Sequence, residues 1–267
     1  MVGKFGVKYV GLQHFKHLVY AIAVLYPLTI DWEVKFYCVL ALNWYYNVRT
    51  VDIIIPGYIL AALHKFQHPT IQLPQHSPCH WNQPKYGAPT QLAPNVYNSS
   101  PLPPEGIQGL QQITGTLLYY VRAIDTKLLV ALGTIGSAQS KCTVVTAKEN
   151  FQLLNYCSMY PGVCIRYKAR AVVLYIHSDA SYLLETQERS CSGRHFYLSD
   201  QPQDVSKPPD MSPMTNGPLH TVSIILSNDM ASAAEVEVGA LFVNSREGTV
   251  IRTTLIKLGH PQPATPI

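Results

Sequence analysis

Apolar residues recur at helical spacing between His14 and Leu25, where Phe15, Leu18, Val19, Ile22 and Leu25 form one stripe. Ahead of it, residues 4–11 alternate as a strand would, with Gly11 ending the run. Phe36 to Asn43 and Thr50 to Ile55 have strand length and composition, and Trp44-Tyr45-Tyr46 between them predicts a hairpin turn. Pro56 suits the first position of a helix, because its missing N–H has no intrahelical partner there, and that helix is predicted to reach Phe66. From His68 to Pro104 no period survives. The stretch is rich in Pro, Asn, Gln and Ser and reads as a linker. Helical spacing returns at Gly109–Val121, with Leu110, Ile113, Leu117 and Tyr120, and Leu128 to Ile135 is apolar. Thr146 and Glu149 have capping-box spacing, each side chain able to accept the other's backbone N–H. The helix they open carries Phe151, Leu154 and Cys157.

The last third changes character. Ala171–Ser178, Arg194–Ser199 and Leu219–Leu226 are strand-like, with a loop over Asp200–Gly217. Ala231–Asn244 predicts a helix, and a second helix is predicted to end at Gly259, a natural C-terminal cap. Ala264 to Ile267 reads as the start of a further extended element. The fold class expected is α/β. The division expected is residues 1–67, a linker over 68–104, a helical region over 105–168, and a last unit over 169–267.

Composition narrows this modestly. A chain of 267 residues holds one large or two small domains, and its 47% hydrophobic content supports a sizeable core. The net charge of +4 permits contact with phosphate, but Lys and Arg are scattered, the loosest group being Lys4, Lys8 and Lys16. None of the six Cys has Cys-x-x-Cys spacing, so neither a zinc knuckle nor a redox motif is indicated. Charges and His break up the N-terminus, which excludes a secretory signal, and the apolar run Leu18–Leu28 falls short of the roughly 20 residues a bilayer requires. These features predict an intracellular protein, of cytoplasm or nucleus, with free thiols and no membrane contact.

Candidate chemistry is concentrated late in the chain. In a strand from Ala171, Tyr175, His177 and Asp179 share one face and Leu174, Ile176 and Ser178 the other. A carboxylate ending an apolar strand needs a partner, and either a bound Mg²⁺ or a hydrogen-bonded turn before Ser181 provides one. Glu235 and Glu237 lie about 200° apart on a helix, so only one can face that strand. Glu237 shares its side with Ala233, Ala234, Ala240 and Leu241, small neighbours that favour close approach to a sheet. Elsewhere, His64, His68, His76, Cys79 and His80 hint at a metal cluster but fit no established zinc spacing. Trp44, Tyr45 and Tyr46 either stack on nucleic-acid bases or pack as a turn against the helix that follows.

Three segments, in order, resemble the ribonuclease H domain of copia-type retrotransposon polyproteins. They are Leu174-Tyr175-Ile176-His177-Ser178-Asp179-Ala180-Ser181-Tyr182, Arg189-Ser190-Cys191-Ser192-Gly193-Arg194-His195-Phe196-Tyr197-Leu198, and Ala231-Ser232-Ala233-Ala234-Glu235-Val236-Glu237. Upstream, Ile113 to Asp125 and Phe151 to Tyr156 are similar to the stretches preceding that domain. Val51 to Phe66, with Pro56-Gly57-Tyr58-Ile59 and Leu63-His64-Lys65-Phe66, resembles the thumb of the element's reverse transcriptase.

The resemblance implies hydrolysis of RNA in an RNA–DNA hybrid by two Mg²⁺ ions, with Asp179 and Glu237 as metal-binding carboxylates and Glu235 secondary. It also implies two departures. The family's third metal-binding Asp belongs on a strand after Ala264–Ile267, where the chain stops. Gly3 and Lys4 stand where the polymerase has its Asp pair, and Lys cannot bind Mg²⁺. The expectation is a truncated, catalytically inactive remnant: an α+β part from the reverse transcriptase thumb and connection, followed by an incomplete ribonuclease-H-like mixed sheet with helices. The alternative is a non-catalytic module that binds a hybrid duplex through its backbone.

Overall fold

The computed structural model describes residues 6–7, 9–69, 74–80, 99–185, 189–200 and 216–265. Much of the expected linker, the Gly3–Lys4 pair, most of the 200–217 loop and the last two residues lie outside the described residues.

The first sheet has four antiparallel strands in the order β1 (Phe36–Tyr37), β2 (Leu40–Tyr45), β3 (Thr50–Ile54) and β4 (Ile165–Lys168). Cys38 and Val39, at φ 48° and 74°, form the two-residue turn between β1 and β2; left-handed backbone at both positions matches the twist of the paired strands. Trp44 and Tyr45 are not turn residues. They extend β2, and the reversal falls on the short helix Tyr46–Val48 and on Arg49 at φ 53°. β4 returns beside β3 from far along the chain. There the Arg166 guanidinium clasps the Asp52 carboxylate through two bonds of 2.6 Å.

Helices cover one face of this sheet: α2 (Tyr58–Lys65), α3 (Pro104–Ala123), α4 (Leu129–Ser137) and α5 (Val144–Met159). One core joins Ile55, Ile59, Leu117, Tyr120, Val121, Leu132 and Leu153, so segments 1–67 and 105–168 share a single interior. Several element starts differ from expectation for local reasons. α2 begins at Tyr58, after Gly57 turns the chain at φ 70°, not at Pro56. The cap of α5 lies three residues before the expected one. Thr143 holds the cap position and its N–H donates to Thr146 Oγ1 at 3.2 Å, which places Thr146 inside the first turn. Phe151 is exposed, and Leu153 takes the core position beside Leu154 and Cys157. Residues 6–7 and 9–11 form no strand. The first element is the helix α1 (Leu12–Ala23), which buries none of its residues.

The second sheet is an antiparallel meander of β5 (Val173–Glu185), β6 (Arg189–Ser199) and β7 (Pro218–Ile225). A single helix, α6 (Ala233–Lys257), follows where two were expected. Its sheet-facing line runs Val236, Ala240, Asn244, Gly248 and Leu255, all buried. Gly248 permits the closest approach, since a Cβ there would fall well inside contact distance of Ile176 Cδ1. Gly259, at φ 87°, does sit just past the helix end. Beyond it, the Gln262 amide bonds the edge of β5, accepting from the Leu174 N–H (2.9 Å) and donating to the Val172 carbonyl (2.8 Å).

Helix and sheet are thus mixed, but every strand pairing among the described residues is antiparallel. The arrangement is α+β; the expected mixed sheet is corrected to two antiparallel ones. No helix among the described residues is long and apolar enough to cross a membrane.

Candidate functional site

The meander has two chemically distinct faces, set by strand alternation. Leu174 and Ile176 of β5 meet Phe196 of β6 and Leu255 of α6, and Ser178 Oγ accepts from Asn244 Nδ2 at 2.6 Å. That is the helix-covered face. Val173, Tyr175 and Tyr197 cluster on the other. No register shift interrupts β5 before Ser181, so Asp179 belongs with Tyr175 and His177, on the face turned away from α6.

Asp179 is exposed and pairs across the strand with Gly193. Its neighbours on that face carry the local polar chemistry. His177 Nε2 and the Tyr197 hydroxyl lie 2.9 Å apart, and His195 Nδ1 lies 2.9 Å from Thr221 Oγ1. Burial, and secondarily the nearby His177, holds the His195 imidazole below its usual value and so keeps it neutral. His177 therefore serves the sheet surface and leans on Tyr197 edge-to-face.

Glu237 is exposed on α6, one residue off the line that meets the sheet. Of the neighbours expected to bring it in, Ala233, Ala234 and Leu241 are exposed and only Ala240 is buried; the close approach is made at Gly248, and Val236 is buried in the place beside Glu237. Glu235 has a structural task. Its carboxylate accepts from the Ala231 N–H at 2.7 Å while its own N–H donates to Ser232 Oγ at 3.2 Å, which caps the helix start. The sequence carries this signal as Ser232-x-x-Glu235.

Mg²⁺ needs several oxygen ligands converging on one point. Asp179 and the helix bearing Glu237 lie on opposite sides of the sheet. Among the described residues no group of three or more His, Cys, Asp or Glu could hold a metal ion. The residues described do not fit a two-metal centre. The His-rich segment is likewise engaged otherwise: His68 Nε2 pairs with Asn155 Oδ1 at 2.9 Å, and His76 Nδ1 with the Tyr160 hydroxyl at 2.8 Å.

The polar centre of this unit involves residues that no local pattern singles out. Arg194 and Asn244 are buried between β6 and α6. Arg194 donates to both Glu247 oxygens, at 2.7 and 2.5 Å, and to Asn244 Oδ1 at 3.3 Å. Asn244 donates in turn to Ser178 Oγ and the Gly193 carbonyl. Donors and acceptors are matched throughout, which suits a fixed contact between helix and sheet and leaves no group free for substrate.

In comparison with known proteins, the chain matches no family model, no curated protein and no solved structure.

Proposed function

We propose that this chain is a non-hydrolytic derivative of the reverse transcriptase–ribonuclease H region of a copia-type retroelement. The three resembling segments fall on β5, on β6 and at the start of α6, in an antiparallel meander followed by a helix laid across one face. That order supports descent from a ribonuclease-H-like unit whose ancestral substrate is an RNA–DNA hybrid. One observation carries the loss of hydrolysis. Asp179 stands exposed on the face turned away from α6, while the sheet–helix layer on the other is closed by Arg194, Asn244 and Glu247. Two-metal hydrolysis requires carboxylates converging around both ions.

The test is incubation of the purified chain with an end-labelled RNA–DNA hybrid in Mg²⁺ or Mn²⁺. The expected result is no cleavage above a protein-free control. Robust cleavage abolished by Asp179→Asn would overturn the proposal.

A further inference from the structure

The end of the first sheet carries three exposed aromatic rings. Trp44 retains 41%, Tyr45 47% and Tyr46 76% of its surface. Three large aromatic side chains in succession at a sheet end form a contiguous exposed patch, the kind of surface that marks a binding site. They do not pack on α2 as a turn would. Instead Trp44 and Tyr46 stack nearly parallel, ring centroids 6.0 Å apart and planes 9° from each other. The Trp44 indole N–H donates to the Val34 carbonyl at 3.0 Å, which fixes its plane. Below the rings, the Ala169 N–H donates to the Arg49 carbonyl at 2.9 Å and ties the reversal to β4.

These rings border a groove of about 340 Å³ whose lining also includes Arg49, Val51, Tyr167 and Lys168. The cations around it are not all equivalent. Arg166 is neutralised by Asp52 and Arg170 by Asp200. Arg49 and Lys168 are exposed and form no ion pair among the described residues, although Arg49 shares the field of the Asp200 carboxylate with Arg170. The groove thus offers flat faces at a fixed tilt beside two exposed cations, of which Lys168 has no acidic partner among the described residues. A membrane or an acidic peptide would use the charge but not the parallel planes. A flexible polyanion carrying flat rings uses both.

We propose that this end of the sheet binds single-stranded nucleic acid. A base stacks on the open face of Tyr46, continuing the Trp44–Tyr46 stack, and the adjoining phosphates lie against Arg49 and Lys168. Stacking reads no base edge, so binding is tolerant of sequence. Within a paired duplex both faces of each internal base are occupied by its neighbours, so only an end pair offers a face to Tyr46. This inference does not rest on descent from a retroelement and survives if that reading fails.

The experiment is fluorescence anisotropy of the full chain with a labelled single-stranded oligothymidylate of about 12 nucleotides, with the same strand annealed to its complement as a second probe. The expected result is binding of the single strand at low salt that weakens as salt rises, and weaker binding of the duplex. Tyr46→Ala weakens single-strand binding about 10-fold, in keeping with the loss of one base–aromatic stack. Tyr46→Phe, which keeps the ring, binds as the unaltered chain does. Lys168→Gln weakens binding and flattens its salt dependence, while Lys148→Gln, on the exposed side of α5, changes neither. Tyr46 is an exposed side chain, so its loss leaves the fold intact. The proposal is overturned if the unaltered chain does not bind the single strand at low salt, or if Tyr46→Ala binds equally well. It is also overturned if the duplex binds as tightly as the single strand, or if Tyr46→Ala instead disrupts self-association of the chain.

Discussion

Arg194 on β6 and Glu247 on α6 meet through two parallel bonds, guanidinium to carboxylate, at 2.7 and 2.5 Å. The Arg194 side chain keeps only 4% of its surface, while Glu247 keeps 39%. The charge that loses its water is therefore the arginine's, and Glu247 is the group that makes its burial tolerable. Asn244, one helical turn earlier, fixes the register by bonding Arg194, Ser178 and Gly193 together.

Truncating the carboxylate should accordingly cost more than removing the cation. Breaking a buried pair from one side costs about 3–5 kcal/mol. With Glu247 partly in water, Glu247→Ala is expected to lie near the lower end, at about 3 kcal/mol. Arg194→Met removes the buried charge itself and is expected to cost roughly half as much. Urea unfolding of both single variants and the double variant checks the order. A larger loss for Arg194→Met would mean that arginine packing, not its charge, holds the layer.

The closeness of α6 to the sheet gives a second expectation. A methyl at position 248 would fall well inside contact distance of Ile176 Cδ1. Alanine favours a helix interior by about 1 kcal/mol over glycine, yet overpacking a core costs about 1–3 kcal/mol. The clash should win, and Gly248→Ala should lower the thermal midpoint. Ile176→Val removes the clashing carbon, so the double variant should recover part of that loss. If adding Ile176→Val recovers none of it, the helix moves away from the sheet rather than the side chain giving way.

The Asp52–Arg166 clasp predicts a dependence on acid. The Arg166 guanidinium holds the Asp52 carboxyl below the usual carboxylate range. The unfolded chain therefore binds this proton more tightly than the native one. The stabilisation is present above the ordinary carboxylate value and is lost as pH falls through the lower native one. Asp52→Asn should reduce the thermal midpoint at neutral pH, and the gap to the unaltered chain should close as the solution is acidified. A gap independent of pH would assign the effect to packing.

How much of this is legible in the sequence depends on whether the signal is local. The faces of β5 follow from alternation alone, and Leu174, Ile176 and Ser178 do line the helix side. The strand-like stretches of the last third mark the three strands and their order, although β5 and β6 extend well beyond them through polar residues. By contrast, the pairing of β3 with β4 joins residues 114 apart at Asp52 and Arg166, and no local period encodes it. The candidate site fails for the same reason. Alternation assigns Asp179 to its face, but which face α6 chooses depends on the line Val236–Ala240–Asn244–Gly248, and that line is hidden because it includes a buried asparagine and a glycine. Arg194 reads as an ordinary exposed cation until the fold brings Glu247 beside it.

A buried carboxylate in the first core supplies the last expectation, with the opposite sign from Asp52. Asp125 is 1% exposed, and its Oδ1 has no hydrogen-bond partner. Lys127 stands 3.7 Å away but is mostly in solvent. Burial pushes the Asp125 carboxyl above its usual value despite that lysine. Its charge reaches Cys157 as well, where burial first and Asp125 second push the thiol up to about 12. The native state therefore holds the Asp125 proton more tightly than the unfolded chain does. Its contribution is fully present below the ordinary carboxylate value and is lost as pH rises through the elevated native one. Asp125→Asn keeps the shape and removes the titration. It should raise the thermal midpoint at neutral pH and leave it nearly unchanged in acid, so the two pH profiles converge as the carboxyl of the unaltered chain becomes protonated. A variant destabilised equally at every pH would instead assign Asp125 to a bond that only a carboxylate can accept, with its backbone contact to Lys127 the first candidate.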